Sequence, residues 1–236
     1  PGGGWPVGGL CEVLQAHSAQ HVWRLLLPAL CAAQGLGLQQ VGQPAPWVVL
    51  IGPPYVPFGP ALSAQGLDVQ HLLLVRVDAP AERLWATEQA LRCAGVAAVL
   101  AWLPQVQAAP LRRLQMAAQT HAKLLFVMRP AAALGESSPA MLRLLVSPDG
   151  MGTDSTPDAM CVRVLKRRGP PLLHALVLSA PVPGLSELLA MAATSMSKGC
   201  VNEPLVDQSM PDGDGLQGAG LGLATPCWSG PEPCIG

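Results

Sequence analysis

An apolar strand, a polar connection and an apolar helix follow one another at the start of the chain, and this frame constrains the fold most. A glycine-rich turn, Pro1-Gly2-Gly3-Gly4-Trp5-Pro6, leads into a short apolar strand ending near Leu14. An apolar helix then starts around Ser18 and runs through Leu25, Leu26, Leu27 and Leu30. In a phosphate-binding loop built on this frame, glycines let backbone N–H groups wrap the phosphates, a Lys reaches the terminal phosphates and a Ser or Thr holds magnesium. Here the last three positions read Gln20, His21 and Val22. Val offers no oxygen to a metal, and a neutral imidazole is a poor substitute for the Lys charge. No Gly-x-x-x-x-Gly-Lys-Ser/Thr run occurs elsewhere. The expectation is a degenerate P-loop with no cofactor, no catalytic residue and no enzymatic activity.

Short apolar runs then alternate with helical patterns. Trp47–Ile51 is wholly apolar and is halted by Gly52-Pro53-Pro54, as a central strand buried on both faces requires. Helices are predicted over 60–65, 80–93 (Pro first, Glu82 in the first turn) and 110–121, and strands over 71–77, 97–103 and 123–128. This alternation predicts an α/β fold with a mostly parallel sheet flanked by helices. Two further strands, 141–146 and 161–167, have no helix between them and read as antiparallel edge strands, joined by a mobile hairpin loop over 147–158. Residues 1–183 are expected to form one domain. Residues 184–236 are expected to form an acidic, Gly/Pro-rich tail that is largely disordered apart from a short helix over 186–196.

Composition narrows the function classes. Half of the 236 residues are apolar and only 12% are charged, ample for a core. Charge is uneven: 13 basic against 9 acidic residues through Arg168, then one Lys against six acids. The seven cysteines show no CxxC pair and no zinc spacing, which fits a reducing cytoplasm without a disulfide framework or metal site. Leu25 to Leu67 is free of Asp, Glu, Lys and Arg but is broken by Gln, Gly and Pro, so no membrane span is expected.

The motifs Pro-Gly-Gly-Gly-Trp-Pro at 1–6, Trp-Val-Val-Leu-Ile-Gly-Pro-Pro-Tyr-Val-Pro at 47–57 and Ala-Val-Leu-Ala-Trp-Leu-Pro at 98–104 keep a fixed order. So do Leu-Arg-Arg-Leu-Gln at 111–115, Arg-Pro-Ala-Ala at 129–132 and Val-Leu-Lys-Arg-Arg-Gly at 164–169. Together, over residues 1 to about 170, they resemble the ImuA family, SOS-mutagenesis accessory proteins of the SulA/RecA-like superfamily. The resemblance implies a RecA-like domain lacking a few dozen N-terminal residues, which agrees with a chain opening on Pro. It also implies a non-catalytic role in SOS-induced translesion DNA synthesis, cytoplasmic and nucleoid-associated when acting. The partners it implies are ImuB, an error-prone polymerase of the replicative class and RecA, with weak DNA contact. Aligned with a RecA-like ATPase, Pro53 stands at the catalytic Glu, Ala101 or Trp102 at the acidic strand end, and Arg129 at the phosphate-sensing Gln. The competing functions are a SulA-like cell-division inhibitor that binds the tubulin-like division protein and, lowest in rank, an active ATPase.

Candidate contact residues fall in two places. Arg163, Lys166, Arg167 and Arg168 suit DNA phosphates or an acidic partner, or simply defend an edge strand by charge. In the Pro-rich loop 53–58, Tyr55 and Phe58 suit a partner anchor, or else pack beneath the next helix. His17 and His21 have no third metal ligand nearby, so they read as a helix start. Arg112 and Arg113 read as an exposed helix face, and Trp23, Trp85 and Trp102 as core.

Overall fold

The computed structural model describes residues 4–16, 22–35, 45–148 and 160–178. Along the chain run β1 (Leu10–Gln15), α1 (Val22–Ala33), β2 (Trp47–Ile51), α2 (Gly59–Ala64), β3 (Leu72–Val75) and α3 (Pro80–Arg92). They are followed by β4 (Val96–Trp102), α4 (Ala108–Thr120), β5 (Leu124–Pro130), β6 (Leu142–Pro148), β7 (Met160–Lys166) and β8 (Leu176–Leu178). The eight strands form one sheet in the order β3-β2-β4-β5-β1-β6-β7-β8. The first six strands in this order pair parallel, and β7 and β8 are added at one edge by antiparallel pairing. The predicted α/β class with antiparallel edge strands is therefore observed. One correction applies: β6 is not part of the antiparallel extension, because it pairs parallel with β1 and only its other side meets β7 antiparallel.

The apolar runs form strands because both faces of the sheet are covered. On one face Val13, Val48, Leu100 and Phe126 pack with Leu26 and Leu30 of α1 and Leu62 of α2. On the other, Val49, Val99 and Leu125 pack with Leu91 of α3 and Leu111 and Leu114 of α4. Each such side chain contributes roughly 1.5–3 kcal/mol on burial. The Trp5 ring meets Phe126 edge-on at 5.1 Å. Pro80 opens α3, Glu82 lies in its first turn and Arg92 in its last, so the helix ends carry charges that oppose its dipole.

Three expectations shift in detail. The strand predicted over 71–77 is shorter, because Val69–His71 forms a 3₁₀ turn capped by the Asp68 side chain. β8, three residues long, has too little pattern to be read from sequence. Trp85 is not core: it lies on the outer face of α3 and is 66% exposed, while Trp102 is buried and Trp23 half-buried. Most of the predicted hairpin loop, the helix predicted over 186–196 and the tail over 184–236 lie outside the described residues, as does the start of the first helix at Ser18.

Candidate functional site

Parallel pairing brings the C-terminal ends of β2, β4, β5 and β1 to a single edge of the sheet. A cavity of about 280 Å³ opens there, lined by Gln15, Gly52, Pro53, Trp102 and Arg129 among others. In open α/β sheets this edge is where ligands bind. Of the positions aligned with ATPase parts, Pro53, Trp102 (the alternative to Ala101) and Arg129 are thus neighbours in space, although each comes from a different strand end. Gln20 and His21, with His17, lie outside the described residues, and Val22 opens α1.

Arg83 reaches into this cavity from α3. Its Nε donates to the Val77 carbonyl at 2.8 Å and its Nη1 to the Trp102 carbonyl at 3.3 Å. Gly52 turns the chain beneath it with φ +58°, and a Cβ there would fall 2.7 Å from Arg83 Nε. Gly52 is therefore required twice, by the left-handed backbone and by the guanidinium lying against it.

A charged network runs beneath the same edge. Glu12, fully buried in β1, meets Arg129 of β5 at 2.8 Å. Arg129 Nη2 also bonds Glu136 at 2.6 Å and the Val106 carbonyl at 3.0 Å. Arg143 Nε of β6 lies 2.8 Å from Glu12 Oε2, an ion pair whose angle does not make a hydrogen bond. The remaining Arg143 nitrogens donate to the carbonyls of Ala133, Leu134 and Glu136, clamping the 3₁₀ turn Ala131–Gly135 onto the sheet. Desolvation alone would lower the pKa of Arg129, but hydrogen bonds to Glu136 and Glu12 hold it above its ordinary value. Instead of pointing free into the cavity as a phosphate sensor, Arg129 is engaged by two carboxylates. Glu12, Arg83, Glu136 and Arg143 were not singled out from sequence. The available signals were Glu12 and Arg143, each a lone charge within an apolar strand.

The loop after β2 carries Tyr55 (71% exposed), Val56 (60%) and Phe58 (72%). Packing of Tyr55 and Phe58 beneath the next helix does not occur: the Phe58 carbonyl starts α2 by accepting from the N–H groups of Ala61 and Leu62, and buried Leu62 holds that helix down. The basic cluster is divided. Lys166 Nζ donates to the Ser138 carbonyl and Arg167 Nε to the Pro170 carbonyl, while Arg163 and Arg168 are exposed. Arg112 is exposed, as expected, and Arg113 shares Glu88 with Arg92. Among the described residues no cluster of three His, Cys, Asp or Glu could hold a metal, and no helix is long and apolar enough to cross a membrane.

No protein-family model matches the chain. It is 34% identical over 125 residues to the cell division inhibitor SulA of Edwardsiella piscicida, covering 53% of this chain and 70% of that one. It is 30% identical over 123 residues to the cell division inhibitor SulA of Yersinia enterocolitica, covering 52% and 68%. The crystal structure of SulA from Pseudomonas aeruginosa matches 51% of this chain and 97% of its own, with 27% identity and a TM-score of 0.39. The two sequence relatives support the SulA-like superfamily but not ImuA in particular, and they overturn the translesion-synthesis role and the partners ImuB, an error-prone polymerase, RecA and DNA. The two sequence relatives are named for inhibition of division, and neither name describes a catalysed reaction. Most motifs behind the ImuA resemblance fall on β2, β4, α4, β5 and β7, elements that build the scaffold, so they report a fold and not a partner.

Proposed function

Because the chain belongs to the family of the cell division inhibitor SulA, we propose that it is a non-catalytic inhibitor of division that acts in the cytoplasm by binding the tubulin-like division protein. The observation carrying this reading is the 34% identity over 125 residues, which spans 70% of a SulA relative. Activity is assigned to the domain expected over 1–183. The cavity at the sheet edge is the remnant of a nucleotide site: the three polar P-loop groups are replaced by Gln20, His21 and Val22, and the acidic positions by Pro53 and by Ala101 or Trp102.

The contact is assigned to the loop carrying Tyr55 and Phe58. Exposed aromatics on a proline-stiffened loop lose little conformational freedom when they bind, which is what an interface anchor needs. The test is GTP-driven polymerisation of the purified division protein, followed by pelleting with and without the full chain. Equimolar chain is expected to reduce the polymer, and unchanged polymer at excess chain overturns the reading. The double substitution Tyr55→Ala, Phe58→Ala is expected to weaken inhibition roughly 30-fold, equivalent to about 2 kcal/mol of lost anchor. Full inhibition by that variant would remove the loop from the contact and leave the inhibitor reading intact.

A further inference from the structure

α3 and α4 bury Leu91, Leu111 and Leu114 against the sheet, and their solvent-facing sides share a groove of about 600 Å³. Glu88 and Arg92 of α3 line one side of it; Arg112, Arg113 and Met116 of α4, with His121 just past the helix end, line the other. The two oxygens of Glu88 meet Arg92 Nη2 at 2.5 Å and Arg113 Nη2 at 2.6 Å, so one carboxylate fixes an arginine from each helix. Three guanidinium groups against one carboxylate leave the groove with two positive charges in excess, in a chain whose net charge is −1. Large apolar side chains lie beside these charges. Met116 is 61% exposed within the groove, and Trp85, on the same face of α3 one turn before Glu88, is 66% exposed.

We propose that this face docks an acidic polypeptide segment that carries apolar residues between its carboxylates. Charge complementarity selects the acid: Arg92 and Arg113 each commit Nη2 to Glu88, and the rest of each planar fork offers donors suited to a partner's carboxylates. Because Glu88 already holds both side chains, they lose less freedom on binding than unrestrained surface arginines do. The exposed Trp85 and Met116 select the apolar residues, since Trp and Arg together are the side chains that carry most of the energy at protein interfaces. A helix face whose charges serve only to keep it in water has no use for either apolar side chain. Nucleic acid fits less well, because a phosphate track along the groove would pass the Glu88 carboxylate and gain nothing from covering Met116.

The test is fluorescence anisotropy of a fluorescein-labelled peptide of four Glu-Glu-Leu repeats, titrated with the full chain. Saturable binding is expected, weakened roughly tenfold by Arg112→Glu and by Trp85→Ala. Both side chains are exposed, so the two variants are expected to keep the circular dichroism spectrum and Tm of the parent chain. A peptide of four Glu-Glu-Ser repeats is expected to bind several-fold more weakly, because serine gains little from Trp85 and Met116. No saturable binding of the Leu peptide, unchanged affinity in either variant, equal affinity for the Ser peptide, or tighter binding of duplex DNA at the same salt concentration would overturn the proposal. The readout does not involve the division protein, so it stands or falls separately from the inhibitor reading.

Discussion

Glu12 brings a carboxylate into a strand whose six residues are all buried, and two ion-paired neighbours, Arg129 and Arg143, make that tolerable. Removing that carboxylate leaves the buried Arg143 without a counter-charge and Arg129 with Glu136 alone, and breaking a buried pair in this way costs about 3–5 kcal/mol. Glu12→Gln is therefore expected to lower the unfolding free energy by about that amount, read from the urea midpoint at constant slope. A change below about 1 kcal/mol would mean that water or relaxation compensates the two arginines. The next residue back illustrates the same burial acting on a thiol. Desolvation pushes Cys11 up to about 12, whereas Cys93 is exposed. The thiolate is the reactive form, so iodoacetamide at mildly alkaline pH is expected to label Cys93 in the folded chain and Cys11 only after unfolding. Peptide mass spectrometry separates the two, and early modification of Cys11 would contradict its burial.

At the scale of elements, α4 shows where local chemistry falls short of ideal. The helix ends in a Schellman motif: the Lys123 N–H donates to the Ala118 carbonyl and the Ala122 N–H to the Gln119 carbonyl. Such a motif needs a left-handed residue, and Ala122 supplies it at φ +49°, a conformation glycine adopts without strain. Ala122→Gly is expected to stabilise the protein by about 0.5–1 kcal/mol, a rise of a few degrees in Tm; an unchanged or lower Tm would show that the turn carries no strain. Elements whose pattern is internal to the segment were legible in the sequence. β2 was bounded correctly because its apolar run ends in Gly52-Pro53, and α3 because Pro80 and Arg92 mark its ends. What depends on distant partners was not legible. The Glu12–Arg129 pair joins residues 117 apart, and nothing local to either announces the other. Trp85 was misjudged for a related reason: its spacing is helical, but which side of a helix is buried depends on where the sheet lies. The candidate site was half visible, since Tyr55 and Phe58 were singled out while their exposure waited on the course of the loop.

For the molecule as a whole, the decisive question is what the sheet edge does with its polar groups. A nucleotide site needs donors that are free to turn toward phosphate, and Coulombic attraction helps only if those charges are not already neutralised. Here Arg83 spends its Nε and Nη1 on the carbonyls of Val77 and Trp102 and lies across Gly52, while Arg129 is held by Glu12 and Glu136. Pro53 has no N–H to offer, and the Trp102 side chain is buried. Binding a triphosphate would therefore require breaking interactions of the folded state, with no Lys charge and no metal-binding hydroxyl at 20–22 in return. Titration calorimetry with ATP is expected to show no saturable heat, with or without magnesium, at the chain concentrations used in the polymerisation assay. A saturable, magnesium-dependent heat would show that the network opens on demand, and the sheet edge would then have to be regarded as a working nucleotide site.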